Sequence, residues 1–402
     1  MKKLGLLPRI ILAIILGILI GLFLPNNIIR ALVTFNGLFG NFLDFVIPLI
    51  IIGFVAPGIG DLGDKAGKML AVTAGIAYGS TVISGLFAFF TSKNVLPAFL
   101  KQGALNLTTL DVEDGLLDAF FEVGMPPMFE VMTALLFAFI LGVGIAIVKG
   151  NALKDVMHEF QEIVARLINS IIIPLLPVHI CGIFANMAHA GQVFTILSIF
   201  SKVFVLIIIM HIIILLFQFG VSGALAGGNP LKLLKNMIPA YFTAVGTQSS
   251  AATIPVTLQQ TKDNGVSGDI ADFVIPLCAT IHLSGSTITL TTCSVAIMMI
   301  SGMDLSVGAM LPFILMLGIT MVAAPGVPGG AVMAALGLLE SMLGFNQPML
   351  TLMIALYLAQ DSFGTACNIT GDGAIAILVN KIAGYDLVKR DEVKQKVSFN
   401  NK

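Results

Sequence analysis

Asp361, Thr365, Asn368 and Asp372 recur at steps of four, three and four within TLMIALYLAQDSFGTACNITGDGAIAILVNKI, residues 351–382. At 3.6 residues per turn they share one helix face. The segment is otherwise apolar enough to read as a membrane helix. An ionisable group at membrane depth costs a few kcal/mol or more, and persists where it faces a cavity, an ion or a substrate. Two carboxylates on one stripe, with no Lys or Arg between them, suit a cation and an amine. The bland alternative is a pair of structural carboxylates hydrogen-bonded to nearby backbone, since buried charges need partners in either case.

The elements that must position this stripe are membrane helices. The 402 residues are 57% hydrophobic and 11% charged, against about 25% charged in soluble domains. Mean hydropathy is +1.00, and the chain reads as a polytopic membrane protein in the lipid bilayer. Net charge is −1, so no basic surface suggests a nucleic acid partner. Trp is absent, leaving Tyr and Phe for the interfaces. Cys181, Cys278, Cys293 and Cys367 lack the spacing of a disulfide framework or a zinc site. His158, His179, His189 and His211 are scattered, and His211 reads as a packed residue. No nucleotide loop, catalytic triad or metalloprotease helix is present, and neither Ser249 nor Ser250 has a general base at motif spacing. An enzyme is not expected.

Apolar runs predict spans over roughly 8–25, 37–57, 67–92, 127–149, 163–188 and 193–218. Asp44 is an unusual charge in the second of these and has no assigned role. Lys and Arg fall at the N-terminus and in every second loop, which places both termini in the cytoplasm. The acidic segment 102–125 reads as an outside loop, and the charged residues after Val388 as a solvated tail. After residue 229 the pattern changes. Segment 231–260 has two arms, each too short to cross, around GTQSSAATIP; 305–345 repeats this form around APGVPGG. Segments 267–300 and 347–383 are interrupted helices, the first broken at TIHLSGS. Hairpin plus broken helix therefore occurs twice, and irregular backbone in a membrane must be buried in protein or line a cavity. Paired interruptions in two halves point to a transporter site.

GTQSSAATIPVTL at 246–258 resembles the serine-rich first hairpin of the dicarboxylate/amino acid:cation symporters, a family that includes glutamate transporters and bacterial serine/threonine carriers. APGVPGG at 324–330 resembles its second hairpin tip, ACNITGD at 366–372 its last-helix signature, and IGDLGDKAGKM at 59–69 its loop after the second helix. The resemblance implies an all-α integral membrane fold of eight transmembrane helices and two re-entrant hairpins with inverted repeats, assembled as a homotrimer and moving as an elevator. It divides the chain into scaffold helices 1–2 (1–66), a transport-domain third helix (67–92), a loop with helices 4–6 (93–218; scaffold for helices 4 and 5, transport domain for helix 6), a transport core (229–383) and a tail (384–402).

The same resemblance implies residue roles. Asp361 falls on the carboxylate for the substrate amine, Asn368 on the amide for the α-carboxylate, and Thr365 on a nearby hydroxyl. Ser249, Ser250, Ser286, Gly364, Val327 and Ala331 complete the substrate site, the last two on the gating hairpin. Asp372, Asn368, Cys278 and His282 fall on one sodium site, and Thr280, Met321 and Val322 on another, several of them through backbone. Sodium is thus the implied coupling ion, with no organic cofactor.

Departures from the family pattern narrow the substrate. Acidic-substrate carriers place an Arg three residues after the last-helix aspartate or on the first hairpin tip; here these are Gly364 and Gln248. Neither can copy a bidentate Arg–carboxylate contact. A small neutral L-amino acid, such as serine, threonine or alanine, is therefore expected. A sodium-independent amino acid carrier or exchanger and a dicarboxylate carrier stand as alternatives, the last opposed by Asp361, which a dicarboxylate has no amine to meet. The interrupted helix has His282, Leu283, Ser284, Gly285 and Ser286 where the family has Asn-Met-Asp-Gly-Thr, so a third sodium site lacks its carboxylate, whatever Tyr78 and Thr81 supply. Because an imidazole can titrate near neutral pH, coupling to protons stands as an alternative to sodium, as does a core histidine bonded to a neighbour.

Overall fold

The computed structural model describes residues 6–64, 68–100, 103, 117–148, 150–191, 193–322, 324 and 329–387. Val327, the tail after residue 387, most of the acidic loop and the side chain of Asp44 lie outside the described residues.

Every regular element among the described residues is helical. The first half holds α1 (Leu6–Phe23), α2 (Asn26–Asp64), α3 (Lys68–Val95), α4 (Val131–Ile147), α5 (Ala152–Leu167), a π-helical turn at Ile168–Ile172, α6 (Ile173–His189) and α7 (Val193–Ala226). Two of these exceed the apolar runs. The 39-residue α2 begins at Asn26, through polar residues that a hydropathy window rejects. Helix α5 carries Asp155, Glu159, Glu162 and Arg166 on one side while Met157 and Val164 are buried. Its apolar stripe is too narrow to register as a span, yet it makes a continuous helical path through the π turn into α6.

The second half alternates short and broken helices. A lead-in helix α8 (Pro230–Asn236) precedes α9 (Ile238–Thr247) and α10 (Ser250–Asp263), which pack against each other. Next come α11 (Gly268–Ile281) and α12 (Ser284–Ile300), separated by His282 and Leu283. Helices α13 (Val307–Val322) and α14 (Gly330–Leu343) form a second packed pair, followed by α15 (Gln347–Leu358) and α16 (Asp361–Ile382). The arms of the pairs run from 10 to 16 residues, short of the ~20 that a span needs.

Burial separates an inner from an outer set. Helix α12 is buried along its whole length. The most apolar window of Gly268–Ile300 is 100% buried and that of Asp361–Ile382 89%, whereas Leu197–Ala226 is only 39% buried. The broken helices are therefore the ones enclosed by protein, which is where membrane-depth irregular backbone is tolerated. Among the described residues, six helical stretches are long and apolar enough to cross a bilayer. Helices α3 and α7 flank α12 and α16, while α2 packs on α4 and α6, and α1 on α6.

Candidate functional site

The site forms where the two breaks meet the two hairpin tips. Leu283 is the N-cap of α12, and its apolar side chain cannot satisfy the first N–H groups of that helix. Asn368 on α16 does so across the interface: its Oδ1 accepts from the N–H of Gly285 at 2.7 Å and of Ser286 at 3.1 Å. That fixes its amide orientation, so Nδ2 faces and donates to Ser286 Oγ at 2.9 Å. The approach needs Gly285, because a β-carbon there would lie 2.5 Å from both Cys367 Cβ and the Gly364 carbonyl oxygen.

Asp361 opens α16 and is 5% exposed. Its Oδ2 accepts the N–H of Gly329, at the described end of the second tip, at 2.7 Å. Tyr357 and Thr365 line one cavity with this carboxylate. Gly329 has φ 76°, and a β-carbon on it would lie 2.8 Å from Leu358 Cδ2, so a glycine seats this tip on Asp361. On the first tip, Ser249 caps α10, its Oγ accepting from Ala252 N–H at 3.3 Å. Beside it Gln248 takes a left-handed conformation, φ 54°, the sole non-glycine to do so among the described residues.

These groups surround a cavity of about 20 Å³ lined by Gln248, Ser250, Ala279, Leu283, Ser286, Ala324, Ala331, Tyr357, Asp361, Thr365 and Asn368. No Lys or Arg is among the lining residues. Room for about one water is far below the volume of an amino acid. Of the residues expected around a substrate, Ser250, Ser286, Ala331, Asp361, Thr365 and Asn368 converge here. Ser249 stands beside them as a cap. Gly364 is buried on the α12 side, where an added β-carbon would meet Ser286 N and Thr289 Oγ1 at 3.6 Å. Tyr357 escaped the sequence reading, although it stands four residues before Asp361 and so extends the same stripe by one step.

One turn deeper, His282 Nδ1 lies 2.9 Å from Asp372 Oδ1, both side chains fully buried. His282 Nε2 lies 3.0 Å from Ser80 Oγ, which also accepts from Gln218 Nε2 at 3.0 Å. The backbone carbonyl of Cys278 accepts from His282 N–H at 2.9 Å. Asn368 Oδ1, Asp372 Oδ1 and the Cys278 carbonyl, all expected around a cation, thus already have partners, while Asp372 Oδ2 is buried with none. A cation held here would have Asp372 Oδ2 at once and Oδ1 after His282 turns away. Elsewhere, Thr280 is exposed and donates its hydroxyl to the Leu277 carbonyl at 2.7 Å. Met321 is buried and Val322 half-buried at the end of α13. Tyr78 donates to the Leu315 carbonyl at 3.3 Å, and Thr81 is buried. His211 bridges α7 to α12, with Nε2 3.0 Å from the Gly285 carbonyl.

Residues 6–382 match the profile of the Sodium:dicarboxylate symporter family. The chain belongs to this family. Its relatives include the serine/threonine transporter SstT of Acinetobacter baumannii (strain AYE), 28% identical over 391 residues that cover 92% of this chain and 95% of the relative. The SstT of Streptococcus thermophilus (strain CNRZ 1066) is 24% identical over 83% of this chain and 84% of its own. Excitatory amino acid transporter 1 of Ambystoma tigrinum is 27% identical over 60% of this chain and 45% of its own. As a member of the sodium:dicarboxylate symporter family the chain is a transporter and not an enzyme.

Proposed function

We propose that this chain is a secondary active symporter that couples inward movement of a cation, sodium, to uptake of a small neutral L-amino acid such as serine, threonine or alanine. The observation that carries this reading is the cavity at Asp361, with one buried carboxylate, one amide at Asn368 and no cationic side chain among its lining residues. An α-amine would meet Asp361 in place of the Gly329 N–H, and an α-carboxylate the second hydrogen of Asn368 Nδ2 and the first tip. An acidic side chain brought beside Asp361 would find no compensating charge, a heavy penalty in a low-dielectric site. The names of the SstT relatives support the same class of substrate.

In this reading residues 67–92, helix α7 and residues 229–383 move as a transport domain against a scaffold of the remaining helices, as one protomer of a trimer with both termini cytoplasmic. Substrate and cation are coupled because each favours the seated second tip, and two ligands that favour one state favour each other. The contact of His282 with Asp372 supports a second reading of the ion alone, in which a proton replaces one sodium.

Counterflow in proteoliposomes tests both readings, with a panel of labelled amino acids in sodium and choline buffers at two pH values. Sodium-dependent uptake of serine or threonine is the expected result. Uptake indifferent to sodium but driven by a pH gradient would transfer the coupling to protons. Failure to accumulate any neutral amino acid would overturn the assignment.

A further inference from the structure

Tyr357 lies in the last turn of α15, and its side chain is fully buried. Its hydroxyl lies 3.0 Å from Ser286 Oγ, and the residue lines the same cavity as Asp361. From the other side, Asn368 Nδ2 donates to the same Ser286 Oγ at 2.9 Å. Side chains from α12, α15 and α16 are therefore hydrogen-bonded in a row, Asn368–Ser286–Tyr357, with Asp361 lining the same cavity beside Tyr357. Asn368 and Asp361, on either side of this row, are the groups proposed to hold the α-carboxylate and the α-amine.

Hydrogen counting gives the chain a direction. Asn368 Oδ1 is held by two backbone N–H groups, so its Nδ2 can only donate to Ser286. Ser286 then has one hydrogen left to give. An ionised carboxylate only accepts, so Tyr357 satisfies Asp361 by donating to it and in turn receives the Ser286 hydrogen. When another donor takes Asp361, Tyr357 is free to turn its hydrogen back onto Ser286. That is the sense of the 3.0 Å contact here, where the Gly329 N–H sits on Asp361. Ser286 Oγ then accepts twice, and its own hydrogen is released towards the cavity it lines. A donor on Asp361 thus allows a new donor to be presented at the Asn368 end, where an anionic group would sit.

We infer that Tyr357 is a positioning residue that links the two ends of the site through Ser286, so that the site selects a ligand carrying amine and carboxylate together over one carrying the amine alone. This rests on the proposed reading of Asp361 and Asn368 as the amino acid site. The test is ligand binding to detergent-purified protein, comparing serine, alanine and serine amide (which lacks the carboxylate) on the wild-type chain, Tyr357→Phe, Ser286→Ala and the double variant. The wild type should prefer serine to serine amide. Tyr357→Phe keeps the ring and should raise the dissociation constants of serine and alanine by a common factor of about tenfold, the scale of one hydrogen bond. Serine amide should change less than about twofold. Ser286→Ala should have the same effect, and the double variant no larger one, because both break a single chain. A merely structural role would lower the melting temperature and weaken all three ligands alike; that result, or an unchanged serine affinity in both variants, overturns the inference. If Tyr357→Phe does not fold, Ser286→Ala with the three ligands decides alone. A wild type that binds neither serine nor alanine overturns the amino acid reading itself, which separates the two failures.

Discussion

Asp361 is the residue on which the proposed chemistry turns, and its surroundings make its charge testable apart from its shape. Asn at this position keeps an oxygen to accept the Gly329 N–H, so the second tip can still seat. It loses the charge that an ammonium requires. Asp361→Asn should therefore raise the dissociation constant for serine by about a hundredfold or more, as expected for loss of a buried charge pair, with the melting temperature little changed. Calorimetric binding together with thermal unfolding checks both halves, and retained affinity would sink the amine assignment. Gln248 offers the converse test. It lines the cavity and already holds a left-handed backbone, which Arg tolerates no worse than Gln. Gln248→Arg should add aspartate or glutamate uptake and weaken serine uptake, read by competition in proteoliposomes. Gly364 is the less direct place for such a charge, because its open side faces the start of α12 rather than the cavity.

At the scale of elements, the site exists because helices that stop early leave their ends to be satisfied by neighbours. The α12 N-terminus takes its cap from α16, and the second tip donates its Gly329 N–H to the first residue of α16. A gate built on one backbone contact depends on the backbone at that point. Gly329→Ala must hold φ near 76° at a penalty of about 1–2 kcal/mol. It must also push the Leu358 side chain away. The tip should then seat less often, raising KM for substrate and lowering the hydrogen-exchange protection of α13 and α14. Exchange measured by mass spectrometry, with and without serine, reads this directly, and unaltered KM with unaltered exchange would remove Gly329 from the gate.

Across the whole molecule, coupling requires that ion occupancy and tip closure bias one state. His282 stands where the family resemblance implies Asn, and its imidazole engages the carboxylate expected to hold a cation. His282→Asn restores the family residue and releases Asp372 Oδ1. The sodium concentration for half-maximal uptake should fall and any response to an imposed pH gradient should shrink. Uptake measured against sodium titrations at fixed pH tests this. An unchanged sodium dependence would place His282 outside the coupling machinery, as a core histidine that joins α11 and α12 to α3 and α16 through Ser80 and Asp372.

Much of this was legible in residue order. Asp361, Thr365, Asn368 and Asp372 are local on one helix, so periodicity alone places them on one face. Short arms and Gly/Pro interruptions mark the hairpins because a membrane helix needs a minimum length. The amphipathic α5 and the polar start of α2 were missed, since hydropathy averages over the charges that a helix can turn to one side. Contacts between distant segments belong to tertiary structure alone. Sequence could name His282 and Asp372, 90 positions apart, but not that the imidazole sits on the carboxylate. It could name Asn368 as an amide but not as the cap of another helix. Tyr357 passed as one more apolar-segment aromatic, because its importance lies in a hydroxyl partner 71 residues away. Backbone pattern is written in local chemistry, whereas the pairing of buried polar groups is decided only when packed helices leave each donor a single place to point.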